Sequence, residues 1–172
     1  MAEAAAVSDN PTATMVAVVQ HNAGTDVEQN LSTLETLSTQ AASEGAQLVT
    51  WAEAFAYLGR HDGKRDILES LPEGGPILER CQRLARTLNC DLLLGGFHEA
   101  MPGDTERCYN TSVYLNSSGE ITAMYRKIHL FDVSIVNGPQ LMESKQTGPG
   151  DQAVCVETPL GTLGLTICYD VR

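Results

Sequence analysis

The chain has 172 residues, and its 11 Lys and Arg stand against 22 Asp and Glu, which gives a formal net charge of −11. Apolar residues make up 42% of the composition, which is enough for one packed domain and argues against a disordered chain. The acid excess argues against a nucleic-acid or anionic-membrane partner, because binding phosphate groups requires clustered Lys and Arg.

The cysteines and the N-terminal segment indicate where such a chain works. Five cysteines, with no CxxC pair, argue against a disulfide framework or a zinc knuckle and favour a reducing, cytoplasmic location. The first ten residues carry acids instead of a basic targeting region, and no apolar run approaches the roughly 20 residues that a membrane helix needs. We expect residues 1–13 to be a flexible tail and residues 14–172 to form one domain.

Hydrophobic patterning over the first hundred residues predicts alternating strands and helices. Strands are predicted at 14–20, 47–50 and 91–94, the last ending at Gly95 and Gly96. The first intervening helix is predicted to start with a capping box of Thr25 and Glu28 and to end at Gly45. The second is predicted to open at residues 74–76. This β-α-β-α-β order favours an α/β sandwich.

The second part of the chain has a different pattern. Residues 112–116 and 120–125 predict a hairpin around a turn at 117–119. The segment 133–151 has little periodicity and predicts a long loop, which in a compact domain is usually functional. Residues 153–157 and 162–168 predict another hairpin around 158–161.

Three residues at predicted strand ends are candidates for chemistry. Cys168 could be a nucleophile if a base or cation lies nearby, although a packed core cysteine is the alternative. Glu53 could be a general base, or else a helix cap or surface acid, and Lys127 could stabilise an oxyanion or be a solvated strand end. We interpret His98 and His129 as structural hydrogen-bonding residues.

The segments around these three residues resemble the motifs of the nitrilase superfamily of carbon–nitrogen hydrolases, which use a Glu–Lys–Cys triad. Residues 48–55 read LVTWAEAF, residues 125–132 read YRKIHLFD, and residues 164–172 read GLTICYDVR, in the order that the superfamily shows. Residues 94–99 (LGGFHE) and 142–144 (MES) are similar to its Nit branch. Ala52 stands where these enzymes usually have proline, so the direction of Glu53 is less constrained.

The resemblance implies the N-terminal part of a four-layer α-β-β-α sandwich, and a domain at 14–172 that is incomplete at its C-terminus, so we expect a fragment of a longer parent. It also implies amide hydrolysis without a metal or organic cofactor. Cys168 would attack the amide carbon while Glu53 takes the thiol proton. Lys127 and the backbone N–H of Tyr169 would stabilise the oxyanion. Glu143, at the position of a second supporting carboxylate, would hold Lys127 in place.

The resemblance further implies a small carboxylated amide and water as reactants, with release of ammonia. Deaminated glutathione, a substrate of the Nit branch, is the first hypothesis. The alternatives are an omega-amidase acting on 2-oxoglutaramate or 2-oxosuccinamate, and a non-catalytic remnant or binding module. We expect no nucleic-acid or membrane partner, and a homodimer for the full-length parent.

Overall fold

The computed structural model describes residues 14–136 and 138–171, so the predicted tail at 1–13 and Arg172 of the last motif lie outside the described residues. The elements are β1 (Met15–Val19), α1 (Val27–Ser43), β2 (Ala46–Trp51), α2 (His61–Lys64), α3 (Pro76–Leu88), β3 (Asp91–Ala100), β4 (Cys108–Leu115), β5 (Ile121–Arg126), β6 (Asp132–Ser134), β7 (Gln140–Met142), β8 (Cys155–Thr158) and β9 (Gly161–Gly164). No helix among the described residues is long and apolar enough to cross a membrane.

A five-stranded sheet in the order β1-β2-β3-β4-β5 forms the centre of the fold. The first three strands are parallel and the last two pairings are antiparallel, which confirms the predicted β-α-β-α-β order and the first hairpin. Successive side chains of a strand point to opposite faces of the sheet. Val49 therefore packs in the core beneath α1 and α3, whereas Leu48 packs in a second core with Leu165 and Ile167.

The ends of α1 show one error in the prediction and one success. Asp26 is the N-cap residue, and its side chain accepts a hydrogen bond of 3.0 Å from the backbone N–H of Gln29. The predicted capping box of Thr25 and Glu28 is therefore wrong by one residue, because an Asx side chain beside the threonine takes the same role. The helix ends before Gly45, whose φ of +99° is a left-handed conformation that favours glycine.

Strand β3 does not end at Gly95 and Gly96 but continues to Ala100, which corrects the prediction. The two glycines mark a close approach of backbones instead of a turn. A Cβ on Gly95 would collide with the carbonyl oxygen of Trp51, and a Cβ on Gly96 would lie 3.0 Å from the Cα of Glu53. Glycine lets β3 pass directly beside the turn that carries Glu53.

The segment 133–151 is more regular than predicted. It contains most of the small hairpin of β6 and β7, followed by a 3-10 turn at Glu143–Lys145. The second predicted hairpin is present as β8 and β9, but its second strand stops at Gly164 instead of residue 168. Residues beyond it run to a 3-10 turn at Cys168–Asp170. These corrections share a cause, since tertiary contacts, not periodicity, decide short elements.

Candidate active site

Glu53 lies in the turn that follows β2, where the neighbouring strands bring polar partners. Its Oε1 accepts a hydrogen bond of 2.7 Å from the Nδ2 of Asn110, a residue of β4. Ala54, the next residue, has a φ of +57°, so the chain turns sharply at this point without the proline usual at position 52. The Glu53 side chain is 35% exposed, so its carboxylate can meet a molecule from solvent.

Lys127 follows β5 directly, and its side chain is only 2% exposed. Its backbone N–H donates to the carbonyl oxygen of Asn110, and its carbonyl oxygen accepts from the N–H of Gly150. The Nζ lies 3.3 Å from Oε1 of Glu53 and 3.0 Å from both carboxylate oxygens of Glu143. A buried ammonium thus stands between two carboxylates, which satisfy its charge.

Glu143 opens the 3-10 turn after β7 and is held on two sides. Its Oε2 accepts a hydrogen bond of 2.6 Å from the backbone N–H of Phe131, in addition to the bond from Lys127. Its own N–H donates to the carbonyl oxygen of Phe131. The β6–β7 hairpin therefore brings the second carboxylate to the lysine, although the sequence pattern predicted only a loop there.

Cys168 begins the last 3-10 turn with a φ of +47°, and its side chain is exposed. Residues with a Cβ rarely adopt this left-handed conformation, and such positions are concentrated at functional sites. Partial desolvation of the sulfur and the charge of Glu53 raise the pKa of the Cys168 thiol, while Lys127 and the N–H of Tyr169 act in the opposite direction. The thiol is therefore protonated at rest and requires a base.

The same arrangement keeps Lys127 charged. Burial opposes the ammonium form, but the hydrogen bonds to Glu143 and the negative charges of Glu53 and Glu143 raise the pKa of Lys127 above its ordinary value. A fixed cation next to a protonated thiol and a carboxylate can stabilise negative charge that develops on a substrate oxygen.

A cavity of about 430 Å³ contains all four side chains that the motifs singled out, namely Glu53, Lys127, Glu143 and Cys168. Its remaining wall comes largely from the β6–β7 hairpin. A second cavity of about 370 Å³ adjoins it through Glu53 and Glu143 and also has Lys64 in its wall. Among residues 14–136 and 138–171, no group of three or more His, Cys, Asp or Glu is arranged to hold a metal ion.

The other cysteines and the two histidines occupy different settings. Cys108 is buried at the start of β4, not in a polar loop as its neighbours suggest, and burial raises its pKa. Cys155 is the other exposed cysteine among the described residues. The Nε2–H of His98 donates to the carbonyl oxygen of Tyr57, and His129 bonds to Asp170, which confirms their interpretation as structural hydrogen-bonding residues.

Sequence reasoning missed two side chains that support the site. Asn110 was an unremarked polar residue of a strand, and only its position opposite Glu53 reveals its contact. Asp170 lies inside the motif at 164–172, so the resemblance contained it without a role. Its buried carboxylate bonds to residues from both the lysine and the cysteine segments.

Proteins of one known family are similar to this chain over most of its length. The profile of the family described as carbon-nitrogen hydrolase matches residues 15–172. The human protein named deaminated glutathione amidase is 42% identical over 161 residues, which cover 92% of this chain and 49% of the relative. The chain therefore spans about half the length of the curated relatives that it matches.

Solved structures show the same fold. The crystal structure of the C. elegans NitFhit protein superposes with a TM-score of 0.83 at 34% identity, covering 91% of this chain and 38% of that one. Saccharomyces cerevisiae Nit3, described as a member of branch 10 of the nitrilase superfamily, has a TM-score of 0.76 at 29% identity and covers 90% and 55% of the two chains. With this sequence match and this fold, the chain belongs to the carbon–nitrogen hydrolase family.

Proposed function

We propose that this protein hydrolyses the amide bond of a small carboxylated amide through a thioester on Cys168. The observation that carries the proposal is the position of Lys127, whose Nζ lies 3.3 Å from Glu53 and 3.0 Å from Glu143 in the cavity that also contains Cys168. A base, a fixed cation and a thiol in one cavity are the groups that acyl transfer requires.

In the first half of the reaction, Glu53 takes the proton of the Cys168 thiol, and the sulfur forms a bond to the amide carbon. The negative charge passes to the carbonyl oxygen, where Lys127 and the N–H of Tyr169 stabilise it. Glu53 then gives its proton to the nitrogen, the C–N bond breaks, and the amine leaves. In the second half, Glu53 takes a proton from water, the hydroxide attacks the thioester, and the thiolate leaves and is protonated by Glu53.

The relatives named deaminated glutathione amidase support deaminated glutathione as the first substrate to test. Its amide nitrogen belongs to a dipeptide, so hydrolysis releases cysteinylglycine and not ammonia, and this corrects the expectation of ammonia for that substrate. An omega-amidase substrate such as 2-oxoglutaramate is a primary amide and does release ammonia. The two candidate activities therefore differ in the amine that leaves.

The charges around the cavity require a cation for an anionic substrate. Glu53, Glu143 and Lys127 together carry a formal charge of −1, which repels a carboxylated amide. Lys64 is half-buried in the wall of the adjoining cavity and forms no ion pair with a described residue. We propose that Lys64 attracts the carboxylate of the substrate. A cytoplasmic location and a homodimeric assembly belong to the same proposal.

The test is to incubate this chain with deaminated glutathione and 2-oxoglutaramate, to measure cysteinylglycine and ammonia, and to trap acyl adducts for peptide mapping. The variant Cys155→Ala is the matched control because Cys155 is also exposed but lies outside the cavity. We expect turnover in the unsubstituted chain, which is the parent of these variants, and in Cys155→Ala. We expect none in Cys168→Ala, and an acyl adduct on Cys168. A chain without turnover, or turnover that survives Cys168→Ala, contradicts the proposal and leaves the non-catalytic module as the alternative.

A further inference from the structure

The carboxylate of Asp170 accepts four hydrogen bonds although its side chain is only 4% exposed. Its Oδ1 lies 2.9 Å from both the backbone nitrogen and the Nδ1 of His129. Its Oδ2 accepts from the hydroxyl of Tyr125 at 2.7 Å and from the N–H of Ile167 at 2.9 Å. An ionised carboxylate has about four lone-pair sites, so these donors satisfy its capacity to accept hydrogen bonds.

The residues that supply these four donors flank Lys127 and Cys168, which must face each other in the site. Tyr125 and His129 lie two residues before and two residues after Lys127, and Ile167 immediately precedes Cys168. The Tyr125 hydroxyl also accepts from the N–H of Ile128 at 3.2 Å. One carboxylate therefore connects the segment that carries the lysine to the turn that carries the cysteine.

The turn itself needs such support. The left-handed conformation of Cys168 is unfavourable for a residue with a Cβ and persists only where the surroundings impose it. Backbone bonds from Asp170 and Val171 to Ile167 and Cys168 act within the turn. The ring of Tyr169 also contacts the ring of Phe131, with centroids 5.1 Å apart. Asp170 adds hydrogen bonds that connect the turn to Tyr125 of β5 and to His129.

We propose that Asp170 is a positioning residue, which holds the Cys168 thiol beside Glu53 and Lys127; this inference rests on the proposed function. Asp170 contacts no group of the reaction itself and acts through the backbone of Ile167 and the segment around His129. Loss of this connection leaves the three reacting groups present but not aligned.

The ionisation of Asp170 fits this role. Burial opposes its charge, but the bonds from Tyr125, His129 and Ile167 outweigh burial and hold the pKa of Asp170 below its ordinary value. The carboxylate is therefore charged at neutral pH and accepts on both oxygens. An asparagine has one oxygen, so Asp170→Asn cannot accept from the donors on both sides.

The test measures whether Glu53 still acts on Cys168. Iodoacetamide alkylation of Cys168, followed by peptide mapping, is measured with and without Glu53→Gln. Because Glu53 raises the pKa of the Cys168 thiol, Glu53→Gln should increase the thiolate fraction and accelerate alkylation at pH 7.5 by at least about threefold. In the Asp170→Asn variant, adding Glu53→Gln should change the rate of Cys168 alkylation by less than about 1.5-fold, since the thiol is no longer held beside the Glu53 carboxylate.

The control variant is Asp91→Asn. Asp91 is another buried carboxylate that accepts a tyrosine hydroxyl, from Tyr114 at 2.6 Å, but it pairs with Leu48 near the start of β2, away from Glu53. Asp91→Asn should lower the stability of the chain, but Glu53→Gln should still accelerate Cys168 alkylation in it as much as in the unsubstituted chain. A response in Asp170→Asn as large as in Asp91→Asn overturns the inference, and so does a parent chain that shows no response.

If Asp170→Asn fails to fold, Tyr125→Phe decides the question. It keeps the carboxylate and removes one of the four donors. We therefore expect Glu53→Gln to accelerate alkylation by an amount between the values for the unsubstituted chain and for Asp170→Asn. The same acceleration as in the unsubstituted chain overturns the inference. Alkylation needs no amide turnover. A chain that turns over no amide, but loses the response in these variants, contradicts the proposed function and supports the positioning role.

Discussion

At the scale of single residues, Lys127 contributes to the stability of the site through its ion pairs and has a central role in the proposed chemistry. Its ammonium is buried between Glu53 and Glu143, and its pKa is raised in the folded chain. A raised lysine pKa stabilises the fold fully below the ordinary lysine value, and this contribution is lost as the pH rises through the folded pKa. The ion pairs therefore act at full strength near neutral pH.

Lys127→Met is expected to abolish turnover and to destabilise the chain by about 3 kcal/mol, because two partly buried carboxylates lose their counter-ion. Thermal melting followed at pH 7 measures this loss.

Lys127→Arg keeps the charge, but its planar guanidinium cannot place donors where Nζ contacts both carboxylates, so we expect a fall in kcat of at least about 10²-fold. An arginine variant with most of the parent activity contradicts the oxyanion role.

Lys64 determines, in our proposal, how well an anionic substrate binds. Lys64→Gln should raise KM for 2-oxoglutaramate by about tenfold and leave kcat nearly unchanged, because loss of a partly exposed charge contact costs about 1.4 kcal/mol. A neutral primary amide of similar length is the control substrate and should show no change. Lys145→Gln, at an exposed lysine outside both cavities, is the control variant. Equal effects on charged and neutral amides contradict this role.

At the scale of elements, the passage of β3 beside the Glu53 turn leaves no room for a side chain at Gly96. A Cβ on Gly96 would lie 3.0 Å from the Cα of Glu53 and 2.9 Å from Oδ1 of Asn110. Glu53 is the proposed base, and Asn110 donates a hydrogen bond to its carboxylate. The strand therefore helps to place Glu53 through the absence of a side chain.

Gly96→Ala is expected to lower kcat by about 10–100-fold, because β3 must move away and displace Glu53. The accompanying loss of stability should be about 1–3 kcal/mol, as for other overpacked sites. Gly24→Ala is the control, since an added Cβ there meets no atom within 4 Å. Steady-state kinetics and thermal melting of both variants test this. Parent kcat in Gly96→Ala would show that Glu53 tolerates the shift.

At the scale of the whole molecule, the formal net charge of −11 creates a negative field that a carboxylated substrate must enter. Salt screens this field, with a Debye length of about 10 Å at 0.1 M. We expect kcat/KM for 2-oxoglutaramate to rise severalfold between about 10 and 150 mM salt, and kcat/KM for a neutral amide to stay constant. A fall with salt for the charged amide would show that the local cations dominate the approach.

Local patterns were sufficient for most of the elements. Pro76 begins α3 and Gly45 ends α1 as predicted, because caps and breakers act within a few residues. The predicted end of β3 at Gly95 and Gly96 is wrong because a glycine pair looks the same in a turn and in a close backbone contact. The β6–β7 hairpin was missed for another reason, because its strands have three residues each and are too short to show a period-2 pattern.

By itself, the sequence determined the β-α-β-α-β order of the first hundred residues and the family. It also singled out the four side chains of the proposed site, Glu53, Lys127, Glu143 and Cys168, since motifs preserve residue types at fixed places along the chain. Tertiary structure alone decided that Asn110 holds Glu53 and that Asp170 connects the lysine and cysteine segments. These contacts join residues far apart in the chain. Their geometry depends on how strands pair and turns pack, which no local pattern specifies.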